Sequence, residues 1–280
     1  EITYGDWSSD VCSSDLLGRG NAAKILSRLL WTSQRLFGLR IASFNGGDRY
    51  NAIPREAEAV VVVPKSEADS FSEYVQEFEA TVQKELSTTE PSLAITVENA
   101  DLPEKLLGEQ SAVNLVSAVY SCPNGVLRMS DAVPGLVETS TSMGILKAEN
   151  GQFWAGFLVR SSLDSARDDV GNMILSVFEL AGTNASIHDS YSGWAPDPES
   201  PILRLMKQVY QDKFGQEPKV AAVHAGLETS VIGEKYPGMD MISVGPTLQN
   251  VHSPDERLEA STVPKVYELL TETLMRVPVN

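Results

Sequence analysis

The chain has 280 residues, with 38 acidic against 22 basic side chains and a formal net charge of -16. A surface of that sign repels polyanions, which argues against nucleic acid and anionic membranes as partners. No apolar run approaches the roughly 20 residues of a membrane-spanning helix, while a 42% hydrophobic content is enough to fill a core of one large or two ordinary domains.

In chain order, Glu1–Leu16 (EITYGDWSSDVCSSDL) lacks the charged start, apolar stretch and cleavage motif of a signal peptide. It reads as a non-native or disordered tail outside the fold. Asn21–Phe37 has Ile25, Leu26, Leu29, Leu30 and Leu36 at helical spacing, with Gly38 to close the helix. Leu39–Phe44 predicts a strand, Asn45-Gly46-Gly47 a turn, and Ala52–Val63 a buried strand with Pro54 near its start. Glu67–Leu86 predicts an amphipathic helix on Phe71, Val75, Phe78 and Val82. A short strand at Leu93–Val97 and a helix at Leu102–Val119 follow. The pattern then repeats in kind: strands at Val126–Met129, Leu136–Leu146 and Phe153–Val159, a helix at Asp164–Leu180, and a strand at Ala185–Ile187. The fold class is therefore α+β over this part, arranged as two packed lobes.

Composition changes at Tyr191–Pro201 (YSGWAPDPESP), where three prolines and a glycine mark a boundary. Ser200-Pro201 then caps a helix carrying Ile202, Leu205, Met206, Val209 and Tyr210, with Gly215 at its end. Val220–Val223 and Met241–Val244 read as strands around a short segment reaching Ile232. That α/β order implies parallel pairing. Ser261 or Thr262 caps a last helix. So few strands cannot cover a sheet, so residues 191–280 are expected to be part of a larger α/β domain. The expected division is a tail over 1–16, an α+β domain over 17–190, and an α/β piece over 191–280.

Few residues in this chain form a recognisable catalytic pattern. Serine-hydrolase and nucleotide-binding motifs are absent. Cys12 and Cys122 are too isolated for a disulfide framework, so a reducing cytoplasm is expected. In ISVGPTLQNVHSPDE (Ile242–Glu256), His252 follows an apolar strand, a position where α/β folds collect ligands. Asp255 or Glu256 can orient its imidazole. The plain alternative is a surface histidine in a polar turn. Arg160 ends the strand FWAGFLVR, where a guanidinium clamps a carboxylate or forms a surface salt bridge, with Asp164 in reach. Asn51 reads as a turn residue after Gly46-Gly47. Glu228 is a cleft carboxylate or a first-turn glutamate favoured by the helix dipole. His188 and His224 have no assigned role.

Six blocks in order carry a resemblance: FNGGDRYNAIPREA (44–57), PNGVLRMSD (123–131), VRSSLDS (159–165), GWAPDPESP (193–201), HAGLE (224–228) and GPTLQNVHSPDE (245–256). Together they resemble the aminoacyl-histidine dipeptidases, also called cytosol nonspecific dipeptidases, from about Leu17 onward. The resemblance implies a di-zinc peptidase domain with an inserted lid or dimerisation domain. It implies hydrolysis of dipeptides, Xaa-His among them, by a water that two zinc ions activate and a glutamate deprotonates. It makes His252 a zinc ligand, Arg160 the holder of the substrate's terminal carboxylate, Asn51 a substrate contact and Glu228 a receiver of the substrate ammonium. The base and the remaining metal ligands fall in the family's other half, so no catalytic residue is expected here and the chain alone is expected to be inactive. The implied partners are a dipeptide and a second copy through the lid. Two other classes stay open: a non-catalytic binding or dimerisation module, and a zinc amidohydrolase acting on acylated amino acids.

Removing Glu1–Leu16 is expected to leave stability within about 1 kcal/mol, the range of surface changes. Thermal denaturation of the full and shortened chains measures it, and a larger loss means that the segment packs.

Overall fold

The structure is a computed structural model and describes residues 18–131, 133–190, 192–195, 197–220, 228–249 and 256–278. Cys12, His224 and His252 lie outside the described residues, as does most of the strand expected at Val220–Val223.

The organising element is β4 (Val137–Glu149), a strand of 13 residues. β5 (Gln152–Ser161) pairs antiparallel along one of its edges, from Thr139↔Ser161 to Glu149↔Gln152. The other edge is shared end to end. β1 (Arg40–Asp48) pairs with Ile145–Ala148, and β3 (Gly125–Met129) with Val137–Thr141. β2 (Ala57–Val62) adds outside β1 and completes a five-stranded sheet. The two expected lobes are thus halves of one sheet, joined through β4.

Helices cover one face. α1 (Ala22–Phe37) starts at Asn21, whose side chain accepts from the Lys24 N–H, and stops at Gly38 in the left-handed region at φ 61°. α2 (Ala68–Glu85) buries Phe71, Val75, Phe78 and Val82, a stripe spaced four, three and four. α3 (Glu109–Ser121) buries Ala112, Leu115, Val116 and Val119. With Phe44 and Ile41 of β1 and Met143 and Leu146 of β4, these form the main core. α4 (Asp164–Leu180) sets Val170, Ile174 and Phe178 against Phe153 and Phe157 of β5, with ring centroids 5.8 and 5.9 Å apart.

Lys24 ties this layer together. Its Nζ donates to the carbonyls of Val119, Tyr120 and Cys122 at 2.6, 2.8 and 2.7 Å, closing the C-terminal end of α3 from another helix. Burial pulls the ammonium down to about 8 and pushes the neighbouring Cys122 thiol up to about 11. The Asn21 amide donates to the Met143 carbonyl at 2.8 Å and fastens the same helix to β4.

The C-terminal part is smaller. α5 (Pro201–Phe214) begins at Ser200, whose hydroxyl accepts from the Leu203 N–H and donates to Asp240. α6 spans Glu228–Lys235, and α7 spans Val263–Arg276. β6 (Leu248–Gln249) and β7 (Arg257–Leu258) form a two-residue antiparallel ladder. Met206 and Val209 of α5 meet Leu269 of α7 in a small core. Among the described residues no helix is long and apolar enough to cross a membrane.

Several local expectations change. The Asn45-Gly46-Gly47 stretch is the end of β1, not a turn: Gly46 pairs with both Ala57 and Leu146. Leu93–Val97 forms no strand, because α2 side chains take its polar groups: Glu79 accepts from the Ile95 N–H at 2.9 Å, and Gln83 donates to the Leu93 carbonyl at 2.9 Å. The helix expected from Leu102 begins only at Glu109. Pro103 disfavours helix at the residue before it, and the Leu107 N–H donates to the Ile41 carbonyl. Ala185–Ile187 has no ladder partner and lies over α4, with Ile187 against Gly171. Met241–Val244 is irregular, and all strand pairs among the described residues are antiparallel, so the expected parallel pairing is not found there.

Lys24→Met is expected to cost about 2–4 kcal/mol: three carbonyls each lose a hydrogen bond to a charged donor worth about 1.5–3 kcal/mol, and relief of the buried ammonium's desolvation offsets part of that loss. Urea unfolding at pH 7 checks this. A change under about 0.5 kcal/mol would mean that water satisfies the end of α3.

Candidate substrate-binding cleft

Alternation along β5 decides what this strand offers. Phe153, Ala155, Phe157 and Val159 pack toward the helices. Trp154, Gly156, Leu158 and Arg160 therefore share the opposite face. On β4, Ser142 lies across from Leu158 and Ser140 across from Arg160, and both serines are buried. Glu138, one step further along that face, is a buried carboxylate that receives Arg128 at 3.2 Å. The sequence pattern does not single it out, because its burial depends on pairing with β3 and β5.

A cleft of about 1420 Å³ runs along the free edge of β5, between the sheet with α4 and the helices α5 and α7. Leu158, Arg160, Tyr50, Lys207, Tyr210 and Lys265 are among its lining residues. Lys265 donates to the Tyr210 hydroxyl at 2.7 Å and lies 4.7 Å from the Phe214 ring centre, which fixes it on the far wall.

The turn after β1 brings Tyr50 to the cleft. Two close approaches allow it. A Cβ on Gly144 would fall 2.0 Å from the Arg49 carbonyl oxygen, and one on Gly156 would fall 2.6 Å from the Tyr50 ring. Only glycine leaves room for the turn to lie on the sheet at these two points.

Arg160 lines the cleft and is partly buried. Asp164, offered by the sequence as its salt-bridge partner, receives Arg167 at 3.0 Å and the Gly193 N–H at 2.8 Å. Asn51 is exposed beside Tyr50 and is not itself part of the wall. Glu228 is exposed at the first residue of α6, while Ser230 of the same helix reaches the cleft. His188, which has no partner legible in the sequence, contacts Asp189 at 2.7 Å on the cleft surface. Among the described residues no group of three or more His, Cys, Asp or Glu side chains is placed to hold a metal ion. Those residues do not form a zinc site, and His252 lies outside them.

Gly193 joins the two parts of the chain. Its Cα side faces the Ser161 and Ser162 carbonyls so closely that a Cβ would fall 2.6 and 2.7 Å from their oxygens. The linker is thereby pressed against the end of β5, at the two residues that follow Arg160.

Comparison with known proteins agrees with this architecture. Residues 14–90 match the model of a peptidase dimerisation domain. The cytosol non-specific dipeptidase of Escherichia coli (strain K12) is 36% identical over 262 residues, covering 94% of this chain and 54% of the relative. The crystal structure of the aminoacylhistidine dipeptidase from Vibrio alginolyticus superposes with a TM-score of 0.89 at 34% identity, over 100% of this chain and 56% of that one. A succinyl-diaminopimelate desuccinylase from Sulfurovum sp. (strain NBC37-1) is 25% identical over 146 residues, 52% of this chain and 37% of the relative. Over nearly its whole length, then, the chain is a homologue of the aminoacyl-histidine, or cytosol non-specific, dipeptidases. It spans just over half the length of the two dipeptidases it matches.

Gly193→Ala is expected to cost about 1–3 kcal/mol, the usual range for forcing a methyl group into filled space. It is also expected to speed hydrogen exchange at the residue-193 amide as the bond to Asp164 opens. Unchanged exchange with unchanged stability would show that the linker is not clamped there.

Proposed function

We propose that this chain supplies the lid and part of the catalytic domain of a metal-dependent dipeptidase. The reading is carried by one observation: homology to dipeptidases spans 94% of the chain. The candidate carboxylate-binding residue, Arg160, lines the cleft, in keeping with it. A planar guanidinium at a strand end donates two parallel hydrogen bonds to a carboxylate. Arg160 holds the C-terminal carboxylate of the dipeptide, Asn51 contacts the substrate at the cleft mouth, and Glu228 receives its ammonium group. In this reading residues 17–190 are the lid and 191–280 belong to the catalytic domain, with residues 1–16 outside both.

The family resemblance assigns two zinc ions to the reaction and His252 to one of them. The same resemblance gives Arg160, Asn51 and Glu228 the task of binding and orienting the substrate. A second copy pairs through the dimerisation domain that residues 14–90 match. The cytoplasm is the proposed compartment, in keeping with the cysteine usage and with the name of the Escherichia coli relative.

A non-catalytic module is the second reading, favoured by the dimerisation-domain match. Binding to the purified chain decides between them. Arg160→Lys keeps the charge and loses the fork, so it should weaken binding of a dipeptide about tenfold or more and leave its C-terminal amide nearly unchanged. Equal losses on acid and amide would remove the clamp role, and no dipeptide binding by the unaltered chain would favour the module. Acylated amino acids in the same titrations test the amidohydrolase alternative.

A further inference from the structure

Glu138 of β4 is a buried charge on the cleft side of the sheet, only 5% exposed. Taking a carboxylate out of water is costly unless cations and donors surround it. Arg128 of β3 approaches its Oε1 at 3.2 Å, and the Thr139 hydroxyl donates to the same oxygen at 3.3 Å. A carboxylate offers about four acceptor positions on two oxygens, so these contacts do not exhaust it. On its other side lies β5. Ser140 stands opposite Arg160 and Thr139 opposite Ser161, and the Ser162 N–H donates to the Glu138 carbonyl at 3.0 Å, so the ladder continues past Arg160. Glu138 and Arg160 are therefore diagonal neighbours on one face, a spacing of about 7–8 Å that a long side chain spans. Arg128, Glu138 and Arg160 come from three neighbouring strands, and their charges alternate plus, minus, plus.

We propose that Glu138 is a positioning residue for Arg160: its carboxylate draws the guanidinium along the sheet and holds it in one orientation, so that the fork meets an incoming carboxylate already aligned. The proposal rests on the dipeptide reading above and adds the group behind the clamp. An arginine side chain has several rotatable bonds, and fixing it before a ligand arrives removes an ordering cost from binding. Arg128, itself held by Asp131 at 3.1 Å, anchors the carboxylate from the opposite side. Glu138 touches no substrate in this arrangement. A bare counter-charge acts in the opposite sense, because a negative charge beside the clamp repels the ligand carboxylate and its removal tightens binding. The sign of the effect therefore separates positioning from repulsion.

The test uses the purified full chain and Glu138→Gln, which removes the charge and keeps the shape. Without ligand, NMR relaxation of the Arg160 Nε–H group reads its mobility, the resonance being assigned by its loss in Arg160→Lys. Glu138→Gln is expected to lower the order parameter of that group by about 0.2 or more while the backbone amides of β5 stay rigid. With ligand, calorimetry of Ala-Phe and its C-terminal amide should show the acid weakened about three- to tenfold, the cost of ordering one long side chain, and the amide unchanged. In the Arg160→Lys background, Glu138→Gln should add less than about twofold, because the group it aligns is gone. Glu138→Asp keeps the charge on a shorter arm and should fall between the two; it takes the place of the Gln variant if that one does not fold. An unchanged order parameter overturns the proposal whatever the ligand does. So does tighter binding of the acid, an equal loss on acid and amide, or a loss that adds in full to that of Arg160→Lys. If the unaltered chain binds acid and amide alike, the dipeptide reading fails, and the relaxation measurement still decides whether Glu138 holds Arg160.

Discussion

Everything in the larger part of the molecule depends on β4 having two fully used edges. A strand of ordinary length has room for one partner on each side. At 13 residues, β4 takes β5 along one edge and two shorter strands in succession on the other. The two lobes that alternate in the sequence are thereby fused into one surface. Helices α1 to α4 bury the apolar side of that surface, and the other side is left to form a cleft.

The same pairing fixes the site. Because β5 runs along β4 in one register, a bulge between Met143 and Ile145 notwithstanding, the face of each β5 residue is set by its number. Arg160 cannot move to the helix side without carrying Phe157 and Phe153 out of the core. The side chain assigned to the substrate carboxylate is thus held in place by the packing of aromatic residues that never touch a ligand.

Helices with strong stripes are legible in the sequence alone. The stripe of Phe71, Val75, Phe78 and Val82 places α2 within a residue or so of its observed ends, and Asp164–Leu180 coincides with α4. The cap at Ser200-Pro201 is equally plain. Contacts between distant residues are what the sequence conceals. Leu93–Val97 has the composition of a strand, yet its polar groups are taken by Glu79 and Gln83 of a helix. Gly46 and Gly47 look like a turn until β4 arrives, about a hundred residues later, to extend the ladder past them. Arg160 is readable from its place at a strand end, but Tyr50 is not, since its importance lies in a glycine on another strand that leaves it room.

The ammonium of Lys24 couples distant stretches of chain. It binds the last carbonyls of α3, while Asn21, three residues earlier, holds a carbonyl of β4. The first turn of α1 therefore fastens its neighbour in the helix layer and the sheet beneath it. Fraying, which ordinarily begins at the end of a helix, is opposed here by bonds to α3 and β4. Stretches tied to one another in this way, α1, α3 and the middle of β4, are expected to open together as one cooperative unit.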